Sequence, residues 1–143
     1  MVRGIPKSVL EMLSAVPLFS ACTKSELRAI AGLGTQISVA GGTVLTTQGE
    51  PGREFFLISS GDAVCTVDGT EIARLGIGDF FGEMALVEGR PRNATVTAEH
   101  QMEILVLSVP EFRSLLDSSP AIAEKIRMAV TSRGHASPAA QID

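Results

Sequence analysis

The amino-acid sequence predicts a mainly β domain, a sandwich or small barrel, with helices at both ends. The middle of the chain holds a series of short strand-like segments, separated by closely spaced glycine, proline and aspartate residues. Both ends instead show the apolar spacing of amphipathic helices. At 143 residues the chain corresponds to about one domain and is long enough to bury a core.

The N-terminal helical segment is assigned to residues 1–34. Val9, Leu10 and Leu13 fall on one face of a short helix. Thr23 and Glu26 have the spacing of a capping box, which predicts that a second helix begins there and runs to Gly34.

The β-barrel is assigned to residues 35–107. Val67-Asp68-Gly69-Thr70 predicts a tight hairpin turn within it. The strand candidates are 35–39, 43–46, 55–60, 63–67, 71–75, 94–98 and 103–107.

The C-terminal helices are assigned to residues 108–134. Ser108 and Glu111 form a second capping box, and Ser119-Pro120 predicts the start of the last helix. Residues 135–143 are small and polar, which predicts a flexible tail.

Composition narrows the possible functions. The net charge is −4 and no basic run is present, which argues against nucleic acid as a direct partner. The first residues lack the apolar centre of a secretory signal, and the longest apolar run, 104–107, is too short to cross a bilayer. We therefore expect a cytoplasmic protein without direct membrane insertion, in which Cys22 and Cys65 are reduced, buried thiols.

Residues 81–95 hold the side chains most suggestive of chemistry. Gly82 lets main chain approach a ligand, Glu83 needs hydrogen-bond donors, and the first N–H groups of a short helix suit an anion. Arg92 carries a charged fork that fits a phosphate. A sugar phosphate satisfies both charges. Alternatively, Glu83 only complements a helix dipole and Arg92 is a surface residue.

These residues also resemble a known family. Phe81-Gly82-Glu83-Met84-Ala85-Leu86, followed by Arg92 and the run Ala94-Thr95-Val96, is similar to the phosphate-binding cassette of cyclic-nucleotide-binding domains. Upstream, 49–52 and 55–61 resemble that family's second signature. The resemblance covers about residues 15–133. Within these residues the chain is similar to the domains of prokaryotic cyclic-nucleotide-gated channels and cAMP receptor proteins. It implies a jelly-roll β-barrel with a C-terminal helical lid.

The resemblance implies a ligand-binding set within the cassette. Glu83 would accept from the ribose 2′-hydroxyl, and Arg92 would pair with an exocyclic oxygen of the cyclic phosphate. The remaining members of the set are Gly82, Met84, Ala85, Asn93 and Ala94. The first three of these would line the phosphate cradle with main chain rather than with side chains.

The resemblance also implies residues around the base. Cys65, Ala73 and Phe81 would line the purine, although Cys65 and Ala73 also suit an ordinary core. Arg133 would fold over the base, or alternatively complement the dipole of the last helix. Asn93 stands where the family usually has a small hydroxyl residue or alanine. Its amide offers both a donor and an acceptor, so it suits either purine. The ligand is expected to be cAMP, with cGMP as the alternative.

We therefore expect a cyclic-nucleotide sensor without catalysis or a cofactor, in which cAMP or cGMP binding moves the C-terminal helices. Its partner would be an effector protein or a membrane channel. One alternative is the cytoplasmic gating module of a channel or transporter. Another is a metal-dependent jelly-roll enzyme, but His100 and His135, in a loop and in the tail, are too few for a metal site.

Overall fold

A computed structural model of the protein describes residues 5–87 and 91–132. Helices come first in the described chain, strands follow, and helices end it. The helices are α1 (Lys7–Ser14), α2 (Lys24–Leu33), α3 (Val109–Ser118) and α4 (Pro120–Ser132), with a short 3₁₀ helix at Pro17–Phe19. The strands are β1 (Thr35–Val39), β2 (Val44–Thr46), β3 (Glu54–Ser60), β4 (Ala63–Val67), β5 (Thr70–Leu75), β6 (Phe80–Phe81), β7 (Thr95–Ala98) and β8 (Met102–Ser108).

The strands form two four-stranded sheets, in the orders β1-β8-β3-β6 and β2-β7-β4-β5. All neighbouring strands within the sheets are antiparallel. Strands far apart in sequence lie side by side, as in a jelly roll. The expected mainly β fold with flanking helices is confirmed.

Both predicted capping boxes are present. At the start of α2, the Glu26 N–H donates to Thr23 Oγ1 (3.2 Å) and the Thr23 N–H donates to Glu26 Oε1 (2.8 Å). Ser108 and Glu111 form the same reciprocal arrangement at the start of α3. Each box satisfies amide N–H groups that the first helical turn leaves without partners, so the sequence locates both helix starts correctly.

The predicted hairpin is also present, between β4 and β5. Asp68 and Gly69 have φ values of +51° and +81°, as a two-residue turn of the I′ type requires. One strand was not predicted. β6 has only two residues, which pair with Phe56 and Leu57 of β3, and two residues are too few to show a strand period.

Two apolar cores lie on opposite faces of one sheet. Phe55 and Leu57 of β3 pack against the helices, whereas Phe56 and Ile58 point between the two sheets. Because side chains alternate along a strand, β3 contributes to both cores, which explains its continuous apolar sequence. β3 thus lies between the core under the helices and the core between the two sheets.

The C-terminal helix α4 is packed on the N-terminal helical layer. Ile122 and Ile126 are buried in the same core as Leu18 and Phe19 of the 3₁₀ helix. Lys125, between them in sequence, donates to Glu26 of α2 and forms an ion pair with it. The ion pair therefore connects α4 with the N-terminal helix α2.

The Glu26–Lys125 ion pair makes stability depend on pH. The Lys125 hydrogen bond, and next the Thr23 N–H, hold the pKa of Glu26 below its ordinary value of 4.5. A depressed folded-state pKa gives stability that is present above pH 4.5 and is lost as the pH falls through the folded pKa. We expect Lys125→Met to lower the unfolding free energy at pH 7. The further decrease in unfolding free energy below pH 4.5 should be smaller in this variant than in the parent, as measured by urea unfolding from pH 7 to below pH 4.5.

Arg127→Met is the matched control for this experiment. Arg127 lies on the same helix but pairs with Glu124 one turn earlier, and both side chains are more than half exposed. Exposed pairs of this kind contribute little to stability. The assignment to the Glu26–Lys125 pair would be wrong if both variants had the same pH profile.

Candidate functional site

The site predicted from the sequence begins where β6 ends. Gly82 follows β6 with φ +82°, a left-handed conformation that glycine adopts at little cost. A four-residue 3₁₀ helix, Glu83–Leu86, comes next, and we call it the cassette helix. Beyond 88–90, which lie outside the described residues, the chain returns through Arg92 into β7.

The cassette helix is short for an anion cradle. The N–H of Ala85 donates to the carbonyl of Gly82 (3.1 Å), so this amide already has an acceptor within the helix. A four-residue helix also sums few peptide dipoles. An anion bound here would therefore depend mainly on Arg92 for its compensating charge.

Glu83 and Arg92 are both buried. Glu83 is 1% exposed and Arg92 is 5% exposed, although charged side chains are rarely buried to this degree. Burial excludes the alternative that Arg92 is a surface residue. Removing charged groups from water is costly, so their presence here indicates a specific role.

The Arg92 side chain lies in a close-fitting environment, which we call the arginine clamp and define as Gly52, Glu54, Phe56 and Gly82. Nη2 of Arg92 donates to the carbonyl oxygen of Glu54. Its guanidinium carbon lies 5.9 Å from the centre of the Phe56 ring. Gly52 and Gly82 have no Cβ, and a Cβ at Gly82 would lie 2.5 Å from Nη1 of Arg92.

The main chain of Arg92 is held by the same region of the chain. The Arg92 N–H donates to the carbonyl of Glu50 (2.7 Å), and the Gly49 N–H donates to the carbonyl of Arg92 (2.7 Å). Pro51 and Pro91 form an isolated antiparallel bridge beside these bonds. The two sequence signatures thus meet in space, with residues 49–56 enclosing the arginine.

Three of the clamp residues, Gly52, Glu54 and Phe56, were missing from the predicted site. Gly52 and Phe56 lie in the segment that resembles the family's second signature, for which no site residue was predicted, while Glu54 acts through its main-chain carbonyl. A carbonyl acceptor leaves no side-chain signal in a sequence. The contact with Arg92 joins positions far apart in the chain, so local patterns do not predict it.

The residues expected beside the base belong to the core between the sheets. Cys65 pairs across the sheet with Ala73 on one side and with Val96 on the other. Phe81 stacks on Phe56 with ring centres 4.7 Å apart. Cys65 and Phe81 are fully buried, whereas Ala73 is partly buried. Cys65 and Phe81 thus lie in the core between the sheets, which is compatible with a pocket wall because such a wall is also apolar core, and Ala73 has the greatest exposure of the three.

The two cysteines are free thiols in the structure. Cys65 is buried, as expected, whereas Cys22 is only partly buried, on the helical side. Burial raises the pKa of both thiols, with Glu26 adding to the effect at Cys22. Cys65 therefore presents a neutral, apolar surface to the space between the sheets.

The remaining predicted residues have different exposures. Ala94 is buried, Met84 is partly buried and Asn93 is exposed. Thr95 is the first residue of β7, as its assignment to a strand predicts, and its Oγ1 accepts from the Gln48 N–H (3.0 Å). Arg133 lies outside the described residues.

The described ranges, residues 5–87 and 91–132, contain His, Cys, Asp and Glu side chains, the types that bind metal ions. Within these ranges, no three His, Cys, Asp or Glu side chains come together in a way that could hold a metal ion. His100 is exposed, with Nδ1 3.0 Å from Oδ1 of Asp62. None of the helices in these ranges combines the length and the apolar composition needed to cross a membrane.

Comparison with known proteins assigns the family. The sequence profile described as "cyclic nucleotide-binding domain" matches residues 36–119, more than half of the chain, and includes both the clamp and the cassette helix. The chain belongs to this family. It is thus a cyclic nucleotide-binding regulatory domain.

Relatives of this cyclic nucleotide-binding domain occur in larger proteins. It is 39% identical over 131 residues to a cyclic nucleotide-gated potassium channel of Mesorhizobium japonicum, covering 91% of this chain and 36% of the channel. It is also 39% identical over 106 residues to a cAMP-dependent protein kinase regulatory subunit of Yarrowia lipolytica, covering 73% of this chain and 28% of that protein. The chain therefore spans only about a third of the length of these relatives.

A solved structure has the same fold. It is the N-terminal domain of a transcriptional regulator from Streptomyces coelicolor A3(2), with a TM-score of 0.78 and 27% identity. The similarity covers 85% of this chain and 91% of the solved one. Similar domains thus occur in a channel, a kinase subunit and a transcriptional regulator, so the family alone does not specify the effector.

Proposed function

We propose that this cyclic nucleotide-binding domain is a cAMP sensor that couples ligand binding to a movement of its C-terminal helices. The observation that carries the proposal is the buried charged pair around Gly82. Glu83 follows Gly82 directly in the chain, and Nη1 of Arg92 approaches the same glycine. A cyclic ribose phosphate has hydroxyl donors for the carboxylate and an anionic phosphate for the guanidinium, so it complements both buried charges.

The preference for cAMP over cGMP rests on two kinds of support. The name of the Yarrowia lipolytica relative refers to cAMP. Asn93 is exposed just before β7 and offers an amide in place of the hydroxyl residue that the family uses to contact guanine. A cGMP-binding domain is the alternative.

The position of α4 supports the proposed coupling. Its apolar residues Ile122 and Ile126 are buried against the helical layer, and Lys125 is paired with Glu26. A ligand moves α4 only if it binds more tightly to a second arrangement in which the helix contacts it. We propose that Arg133, just beyond α4, provides this contact by covering the base. The resulting population shift would transmit the signal.

The domain can pass its signal on in one of two ways. We propose a regulatory domain that acts in the cytoplasm through a partner protein, without catalysis. The similarity to a potassium channel favours a second form, in which the domain gates a channel. Sequencing the gene on both sides of this region and searching it for membrane-spanning segments distinguishes the two. A metal-dependent enzyme is not proposed, because no observation on the described residues favours it.

The ligand proposal is tested by titration with cAMP, cGMP and 5′-AMP. We expect cAMP to bind most tightly, cGMP more weakly, and 5′-AMP weakest because its open phosphate lacks the shape of the cyclic ester. Isothermal calorimetry gives the three dissociation constants. Thermal unfolding checks them, because a ligand at a hundred times its dissociation constant stabilises the fold by about 2.7 kcal/mol. If neither cAMP nor cGMP gives binding heat or thermal stabilisation, the proposal is refuted.

A further inference from the structure

Arg92 is held by both its main chain and its side chain. Its N–H and carbonyl bond to Glu50 and Gly49, and its Nη2 donates to the carbonyl of Glu54. Phe56 lies beside the guanidinium. These contacts all come from residues 49–56, a segment whose side chains have no assigned part in ligand binding.

Holding an arginine in this way affects how it binds a ligand. A free arginine side chain has many rotamers, and a ligand that selects one of them loses affinity to the ordering. When contacts within the protein already order the side chain, its rotamer entropy is lost on folding and not on ligand binding. An anion then finds the guanidinium in place, which is the general advantage of a preorganised site.

Gly52 is the residue on which the fit depends. Its φ lies outside the left-handed region, so the backbone conformation does not require glycine. The available space favours glycine, because a Cβ at Gly52 would lie 3.0 Å from Nε and 3.1 Å from Cζ of Arg92, which is closer than an ordinary van der Waals contact. The same Cβ would lie 3.2 Å from Cβ of Ala85 in the cassette helix. Any side chain at this position would displace the guanidinium, the cassette helix or both.

We propose that Gly52 and Phe56 are positioning residues for Arg92. Gly52 leaves the space that the guanidinium occupies, and the Phe56 ring limits its movement on another side. Neither residue needs to touch the ligand. The proposal rests on the proposed function in one respect, namely that Arg92 binds the cyclic phosphate, and it adds the device that orients this side chain.

The test compares Gly52→Ala with Gly76→Ala. Gly76 also has φ outside the left-handed region, and a Cβ there would meet no atom within 4 Å, so it controls for the glycine replacement itself. By calorimetry with cAMP, we expect Gly52→Ala to weaken binding by about three- to tenfold, because a displaced guanidinium keeps only part of its contact. Gly76→Ala should bind as the parent does.

A double-mutant cycle separates positioning from general damage to the fold. If Gly52 acts through Arg92, then Gly52→Ala should weaken binding in the parent protein but add nothing in an Arg92→Ala background. Phe56→Leu should behave in the same way. Equal losses in both backgrounds would show a merely structural effect and would overturn the proposal, as would unchanged cAMP binding in Gly52→Ala.

A measurement without ligand tests positioning independently of the function. We expect the Nε–H signal of Arg92, assigned by its loss in Arg92→Lys, to be sharp in ¹⁵N NMR spectra and to shift or broaden in Gly52→Ala but not in Gly76→Ala. If the parent binds neither cyclic nucleotide, the proposed function fails and this signal still decides on positioning. An identical signal in both glycine variants would refute the role of Gly52.

Discussion

Gly82→Ala is expected to lower the unfolding free energy by about 2–4 kcal/mol and to weaken cAMP binding at least about tenfold. A Cβ at Gly82 would lie 2.5 Å from Nη1 of Arg92 and 2.5 Å from the carbonyl oxygen of Glu54. Nη1 is at the end of a side chain and can move, but the carbonyl belongs to β3 and cannot move alone. The φ of +82° adds about 1–2 kcal/mol of strain for any residue with a Cβ.

Gly69→Ala is the control that separates strain from collision. Gly69 has nearly the same φ, +81°, but a Cβ there would meet nothing within 4 Å. This variant should show the strain alone, about 1–2 kcal/mol, with unchanged cAMP affinity. Urea unfolding and calorimetry measure both quantities. Equal losses of stability in the two variants would mean that Gly82 is needed only for its conformation.

Arg92→Ala is expected to weaken cAMP binding by at least about tenfold. A hydrogen bond to a charged group contributes about 1.5–3 kcal/mol, and about 1.4 kcal/mol corresponds to a factor of ten. Arg92→Lys should lie between the parent and the alanine variant, because lysine retains the charge but loses the planar fork and its contact with Phe56. Calorimetry with cAMP gives all three dissociation constants.

Two controls accompany this measurement. Arg113→Ala removes an exposed arginine from α3 and should leave cAMP affinity unchanged. The unfolding free energy of Arg92→Ala must also be measured, since the Glu54 carbonyl loses its donor, and binding is compared well below the melting temperature of each variant. An alanine variant that binds cAMP as tightly as the parent would exclude Arg92 as the phosphate ligand.

Sequence patterns predicted the fold wherever the determining interactions are local. The Thr23–Glu26 capping box acts within one helical turn, and the Asp68-Gly69 hairpin acts within two residues. The alternation along β3 could not reveal its two cores, because apolar residues on both faces give no period. Strand β6 was missed for a similar reason, since its pairing partner, rather than its own sequence, makes it a strand.

The site was only partly predictable, for reasons of distance along the chain. Glu83 and Arg92 were identified because their residue types, at that spacing, fit a sugar phosphate and a family motif. Burial decided between the two interpretations of Arg92, and burial depends on the whole fold. The contacts of Gly52 and the Glu54 carbonyl with the guanidinium arise only after β3 and β7 are assembled. The role of Arg133 stays a prediction, because it lies outside the described residues.

The alignment of β3 depends on polar groups near its end. With apolar residues on both faces, a shift by one residue would still bury hydrophobic surface, so burial alone discriminates poorly against it. Ser59 makes two bonds that fit the present alignment, because its hydroxyl donates to the Glu103 carbonyl (3.0 Å) and accepts from Gln36 (2.9 Å). A strand displaced by one position would present the wrong carbonyl to Arg92. A serine outside the cassette thereby helps to place the carbonyl that accepts from Arg92.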